Sequence, residues 1–268
     1  MNRQLEDNNG EFSQCPWSLK DAVIVFTYAV VLFFVFCFWM TVLYFLMSFI
    51  LQGSFIPWRR SLLVLFKGDE EFFTVLLFYA ALYIVMKIKI FKKYHLNELD
   101  FFVGRGKIRE DAIYGFFMYL KFVVIIFAGI VLAFFIATIW DMMFGSGILE
   151  KVNVFFLASE IERIGLEKRV DGTISVVVLL IFAPFFEELF FRGCLYRALR
   201  ARFSRVSAIV SSSFIFSLLH GYFFLFIFVF LVGMMLAYIY EKRKSLVAPL
   251  AFHMVNNLVV IVLILLRL

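Results

Sequence analysis

Cysteine is scarce in this sequence. Cys15, Cys37 and Cys194 are far apart, form no CxxC pair and follow no metal-ligand spacing. Three unpaired thiols are expected rather than a disulfide framework or a thiolate metal site. No basic patch with interleaved aromatics stands apart from the apolar runs. The net charge of +6 therefore does not point to nucleic acid. No signal peptide is evident: the first twenty residues are polar and mixed in charge. The apolar run that follows is far longer than the 7–15 residues of a signal core, so it is expected to stay as an anchor. No internal repeat and no low-complexity linker appears.

Apolar surface is what the chain has in excess. Of 268 residues, 64% are hydrophobic and 20% aromatic, against roughly 45–50% apolar usage in soluble domains. A small soluble core cannot absorb that surface, whereas a bilayer can. A spanning helix needs about 20 apolar residues. Runs 22–50, 72–91, 113–140, 174–191, 206–220, 222–240 and 246–266 meet or approach that length. The expected fold is all-α, a polytopic membrane bundle of about seven spanning helices. The fourth run is expected to continue as helix through the amphipathic stretch Cys194 to Phe203. The fifth is short and polar, with Ser211, Ser212, Ser213 and Ser217. Small hydroxyl residues let helices approach closely, which suits the centre of a bundle.

Basic residues sit between the runs. Lys87, Lys89, Lys92, Lys93, Arg105, Lys107 and Arg109 follow the second, and Arg192, Arg197, Arg200, Arg202 and Arg205 follow the fourth. Lys242, Arg243 and Lys244 follow the sixth. Loops 51–71 and 141–173 balance bases with acids. The positive-inside rule then makes the N-terminus cytoplasmic and the C-terminus external, in a protein of the cell membrane. Residues 1–21 read as a polar tail and 22–145 as spanning helices of open role. Within loop 141–173, Ala158 to Arg169 is expected to form a short surface helix.

Ionisable groups inside spans are costly and mark functional sites by default. In the second half they cluster. The fourth run holds Glu187, Glu188 and Arg192, the fifth ends in Phe216-x-x-x-His220, and the seventh contains His253, Asn256 and Asn257. Glu188 and Arg192 are i and i+4, on one helical face, and read as a structural or orienting pair. Glu187 is rotated by about 100° and lacks that partner, so it reads as the free carboxylate. Pro184 removes a backbone donor one turn earlier. If the fourth and fifth runs form a hairpin turning at Arg202 to Arg205, Glu187 and His220 lie roughly 16–17 residues from the turn, at similar depth. His253 and Asn257 share a face at i and i+4. Asn256 is the alternative donor. A carboxylate in an apolar pocket makes a better base near neutrality. Glu187 with His220 can activate a water, and His253 with Asn257 can hold the oxyanion of a tetrahedral intermediate. His95, in a basic loop, reads as a solvated bystander. Lys121, within the third run, either snorkels or faces the bundle interior.

Glu187-Glu188-x-x-x-Arg192, Phe216-x-x-x-His220 and His253-x-x-x-Asn257, in this order on three hydrophobic helices, resemble the three motifs of the CPBP (Abi) family. These are the type II CAAX prenyl proteases and their bacteriocin-processing relatives. The resemblance covers about residues 180–260. It implies an intramembrane endopeptidase built on residues 146–268, with Glu187 and His220 activating water, and His253 and Asn257 forming the oxyanion hole. Glu188 and Arg192 would complete the first motif. The substrate would be a membrane-associated peptide or protein, prenylated or not. The family has been described both as metalloproteases and as metal-free glutamate proteases. The sequence has no His-Glu-x-x-His, so no cofactor is expected. Glu187, His220 and His253 remain the set that would hold a zinc ion. Two other readings use the same residues: an ion-coupled transporter, and a non-catalytic immunity or sorting partner.

Overall fold

The computed structural model describes residues 15–52, 70–103, 107–145, 147, 150, 173–223 and 225–266, and among these every regular element is helical. In chain order they are α1 (Leu19–Gln52), α2 (70–92), α3 (Glu98–Val103), α4 (Ile108–Phe144), α5 (173–200), α6 (Arg205–His220), α7 (Phe226–Arg243) and α8 (Val247–Leu265). Each of the seven apolar runs coincides with a helix over most of its length, the sixth only from Phe226 onward. Three of these helices, α1, α4 and α8, are long and apolar enough to cross a membrane by length and composition, and α6 is a shorter apolar helix. Seven spans are thus not established. The remaining four helices, α2, α3, α5 and α7, carry charge near their ends or, in α5, along their length. The segment Ala158 to Arg169 lies outside the described residues.

The chain divides into two compact units, residues 1–101 with 169–202, and residues 102–168 with 203–268. In the first, α1 packs on α2, and α5 packs on both. Ser18 and Asp21 close α1 with a reciprocal capping box. The Ser18 N–H donates to Asp21 Oδ2 at 2.8 Å and the Asp21 N–H to Ser18 Oγ at 3.3 Å. Lys93 pairs with Asp21 Oδ1 at 2.7 Å. Trp17 belongs to the stretch read as a polar tail, yet it is buried, and its indole N–H donates to the Cys194 carbonyl at 3.0 Å. The Arg197 guanidinium lies 4.4 Å from the Phe101 ring and 5.9 Å from that of Trp17. A desolvated cation over two rings explains how a basic residue can be buried here. Asn97 caps the short α3 through the Leu99 N–H. His95 is exposed, as expected, in a turn that takes it to a left-handed φ of 53°.

In the second unit α4 packs on α8, and α6 on α7. Asp111, Gly115, Tyr119 and Phe122 are the buried residues of α4. Spaced by four, four and three, they form one stripe on a 3.6-residue helix. Gly115 meets the α8 backbone: a Cβ there would overlap the Ala248 carbonyl and lie 3.0 Å from Ala251 Cβ. Tyr119 and Phe122 each meet Phe252 edge-on, with centroids 5.4 and 5.5 Å apart. Asp111 takes the Arg243 Nε–H at 2.5 Å. From Val123 to Phe144 no residue is buried, and Phe127 is 68% exposed. Lys121 is also exposed, which favours snorkelling over an inward orientation.

The serines of α6 act as expected. Ser212, Ser213 and Ser217 are buried. A Cβ on Gly233 of α7 would lie 3.1 Å from Ser213 Cβ and 3.3 Å from Phe216 Cδ1. Ser213 returns its hydroxyl to the Ile209 carbonyl, while Ser217 donates to the Phe226 carbonyl at 2.7 Å and ties α6 to the start of α7.

Candidate active site

The first motif lies on α5, where Val178–Phe182 and Leu189–Tyr196 are wider π turns and Ala183–Glu188 is α-helical. Pro184 stands at the start of the α-helical piece. Its ring nitrogen cannot donate to the preceding turn, and that turn is the widened one. Local π turns occur often at functional sites because they re-aim side chains. Glu187 and Glu188 stand immediately before the second of them. Every residue from Glu188 to Leu199 is buried.

Glu188 and Arg192 form the expected pair. Arg192 Nη1 lies 3.0 Å from Glu188 Oε1, with side chains 2% and 0% exposed. Glu187 is half-buried and has a partner that local spacing could not show. The Tyr79 hydroxyl, on α2, donates to Glu187 Oε1 at 2.5 Å. The reading of Glu187 as a free carboxylate is therefore corrected. The Tyr79 ring is stacked on Phe186 at 5.5 Å and 13°. The available signal was a tyrosine in an apolar run, whose hydroxyl needs a partner once buried.

The second and third motifs lie in the other unit. His220 is the last residue of α6. Gly221 ends the helix with φ +71°, a conformation that favours glycine. His220 Nδ1 lies 2.7 Å from the Phe216 carbonyl oxygen. A carbonyl can only accept, so Nδ1 carries a proton; in the neutral ring that leaves the lone pair on Nε2. The Phe216 ring lies 4.2 Å from the His220 ring and 6.0 Å from the His253 ring, so one phenyl touches both imidazoles. His253 is buried on α8. Asn256 is also buried and donates to Asn257 Oδ1 at 3.3 Å, while Asn257 is half-buried. That bond links both candidate amides without choosing between them. Within either unit, among the described residues, no three His, Cys, Asp or Glu side chains stand together as a set for a metal ion.

Residues 169–259 match the family model of the Rce1-like type II CAAX prenyl endopeptidases. The matched stretch holds Glu187, Glu188, Arg192, His220, His253 and Asn257. No curated protein and no solved structure matches the chain. The match covers about a third of the chain and is a similarity to CAAX-type intramembrane proteases. With the long apolar helices it indicates an integral membrane protein.

Proposed function

We propose that the chain hydrolyses a peptide bond of a membrane-associated substrate by water activated at Glu187 and His220. The observation that carries this reading is the family match, which spans all three motifs. In the proposed step Glu187 takes a proton from water while His220 orients it through Nε2. The water oxygen adds to the scissile carbonyl carbon, and His253 and Asn257 donate to the resulting oxyanion. The C–N bond then breaks, and the abstracted proton passes to the leaving amine. A metal mechanism would draw on Glu187, His220 through Nε2, and His253 to hold zinc, and the ion would supply a more acidic water. The reading includes seven spans with the N-terminus on the cytoplasmic side, supported by the positions of the basic loops.

The test is cleavage of quenched fluorescent peptides, prenylated and unmodified, by detergent-purified protein, with and without a zinc chelator. Cleavage lost in Glu187→Ala and indifferent to chelator is the expected result. Chelator-sensitive cleavage would replace it with the metal mechanism. Unchanged cleavage by Glu187→Ala would refute the assignment. A wild type inert on all peptides, with Glu187→Ala leaving the cellular phenotype intact, would favour a non-catalytic partner.

A further inference from the structure

Tyr79 lies on α2, outside the segment matched to the family. Two contacts bring it to the first motif. Its hydroxyl donates to Glu187 Oε1 at 2.5 Å, and its ring is stacked on Phe186, the residue immediately before Glu187. Tyr83, one turn further along α2, meets the Phe186 ring edge-on at 6.0 Å. Phe186 is thus gripped by two aromatic rings of the same helix. A glutamate side chain has three soft torsions, and a base must be held in one geometry to work efficiently. The stack fixes the backbone position from which Glu187 departs. The hydroxyl fixes one carboxylate oxygen and so the direction in which the other faces.

We infer that Tyr79 is a positioning residue for Glu187, holding its carboxyl group in one orientation. This rests on the reading of Glu187 as the base. The competing possibility is that the tyrosine only satisfies its own hydroxyl in an apolar surrounding. Both uses predict some loss of thermal stability on substitution, but only the first predicts a fall in kcat at a nearly unchanged KM.

The full-length protein in detergent is compared as wild type, Tyr79→Phe and Glu187→Gln. In Tyr79→Phe, kcat is expected to fall about tenfold with KM within about twofold, the scale of one hydrogen bond to a charged group. Tyr79→Phe keeps the ring that stacks on Phe186 and loses only the hydroxyl's bond. Infrared difference spectra read that bond without a substrate: the carboxyl bands absent from Glu187→Gln should shift in Tyr79→Phe. A wild-type kcat in Tyr79→Phe, with Glu187→Gln inactive, would overturn the role of Tyr79 and leave the base assignment standing. Wild-type cleavage by Glu187→Gln would overturn both.

Discussion

The Glu188–Arg192 pair permits a worked prediction. The two side chains are 0% and 2% exposed and their charged atoms stand 3.0 Å apart. With an effective dielectric constant of about 20, Coulomb's law gives an attraction of about 5–6 kcal/mol at that distance. Most of this offsets the cost of taking both ions out of water, so the pair adds little net stability. Removing one partner is another matter, because the remaining charge stays buried without its counter-ion. Arg192→Met is expected to cost about 3–5 kcal/mol. For a chain of this size that lowers the melting temperature by roughly 6–20 °C. The double variant Glu188→Leu with Arg192→Met removes both charges and keeps similar volume. It should regain most of the loss. Cys37 and Cys194 are buried, so a thiol-reactive dye that fluoresces on coupling reports unfolding directly in detergent. A double variant as unstable as Arg192→Met alone would show that packing, and not charge compensation, governs this position.

Three further outcomes follow from other sites. Gly233→Leu must displace Ser213 and Phe216, already 3.1 and 3.3 Å from a bare Cβ. It should destabilise by about 1–3 kcal/mol and, through the Phe216 ring, lower cleavage more than the distant Gly129→Ala, which meets nothing within 4 Å. Burial pushes the Cys15 thiol up to about 12, against the opposing Trp17 backbone N–H. Iodoacetamide at pH 8 should then alkylate Cys15 on the order of a thousandfold more slowly in the folded protein than after unfolding, read by mass spectrometry. The Tyr83 hydroxyl, and after it Lys87, holds the Glu98 carboxyl below its ordinary range. The small stability this gives is present above the unfolded-state pKa and is lost as pH falls through the lower folded value. The melting difference between wild type and Glu98→Gln should accordingly begin to shrink as pH falls below about 4, and a difference that stays constant on further acidification would refute the linkage.

Much of the architecture was legible because membrane helices announce themselves by apolar length. Runs such as 246–266 became Val247–Leu265 with shifts of one residue. The Glu188–Arg192 pair was legible because its partners are four residues apart on one helix. The serines of α6 signalled close helix packing by size alone. Tyr79 was not legible as a partner of Glu187: the two are 108 residues apart, and nothing local records which tyrosine a bundle brings to which glutamate. Trp17 was hidden because a short polar stretch gives no sign that one residue in it is anchored to α5. The π turns of α5 escaped because widening of a helix depends on packing and on the local proline, not on apolar period.

The bare half of α4 also acts as a ruler. Lys121 and Trp140 are both exposed on this helix and lie 19 positions apart by number, or about 29 Å along the axis. That separation equals the thickness of a bilayer's hydrocarbon layer, about 30 Å. An ammonium at one end and an indole at the other are the side chains that settle at the headgroup level. The helix thereby carries its own depth marks: spin labels at 121 and 140 should report headgroup polarity, and one at Val131 the lipid interior. On that placement Asp111, ten residues before Lys121, would sit some 15 Å beyond the oily layer, and the buried ion pair with Arg243 would belong to a part of the protein that reaches into water.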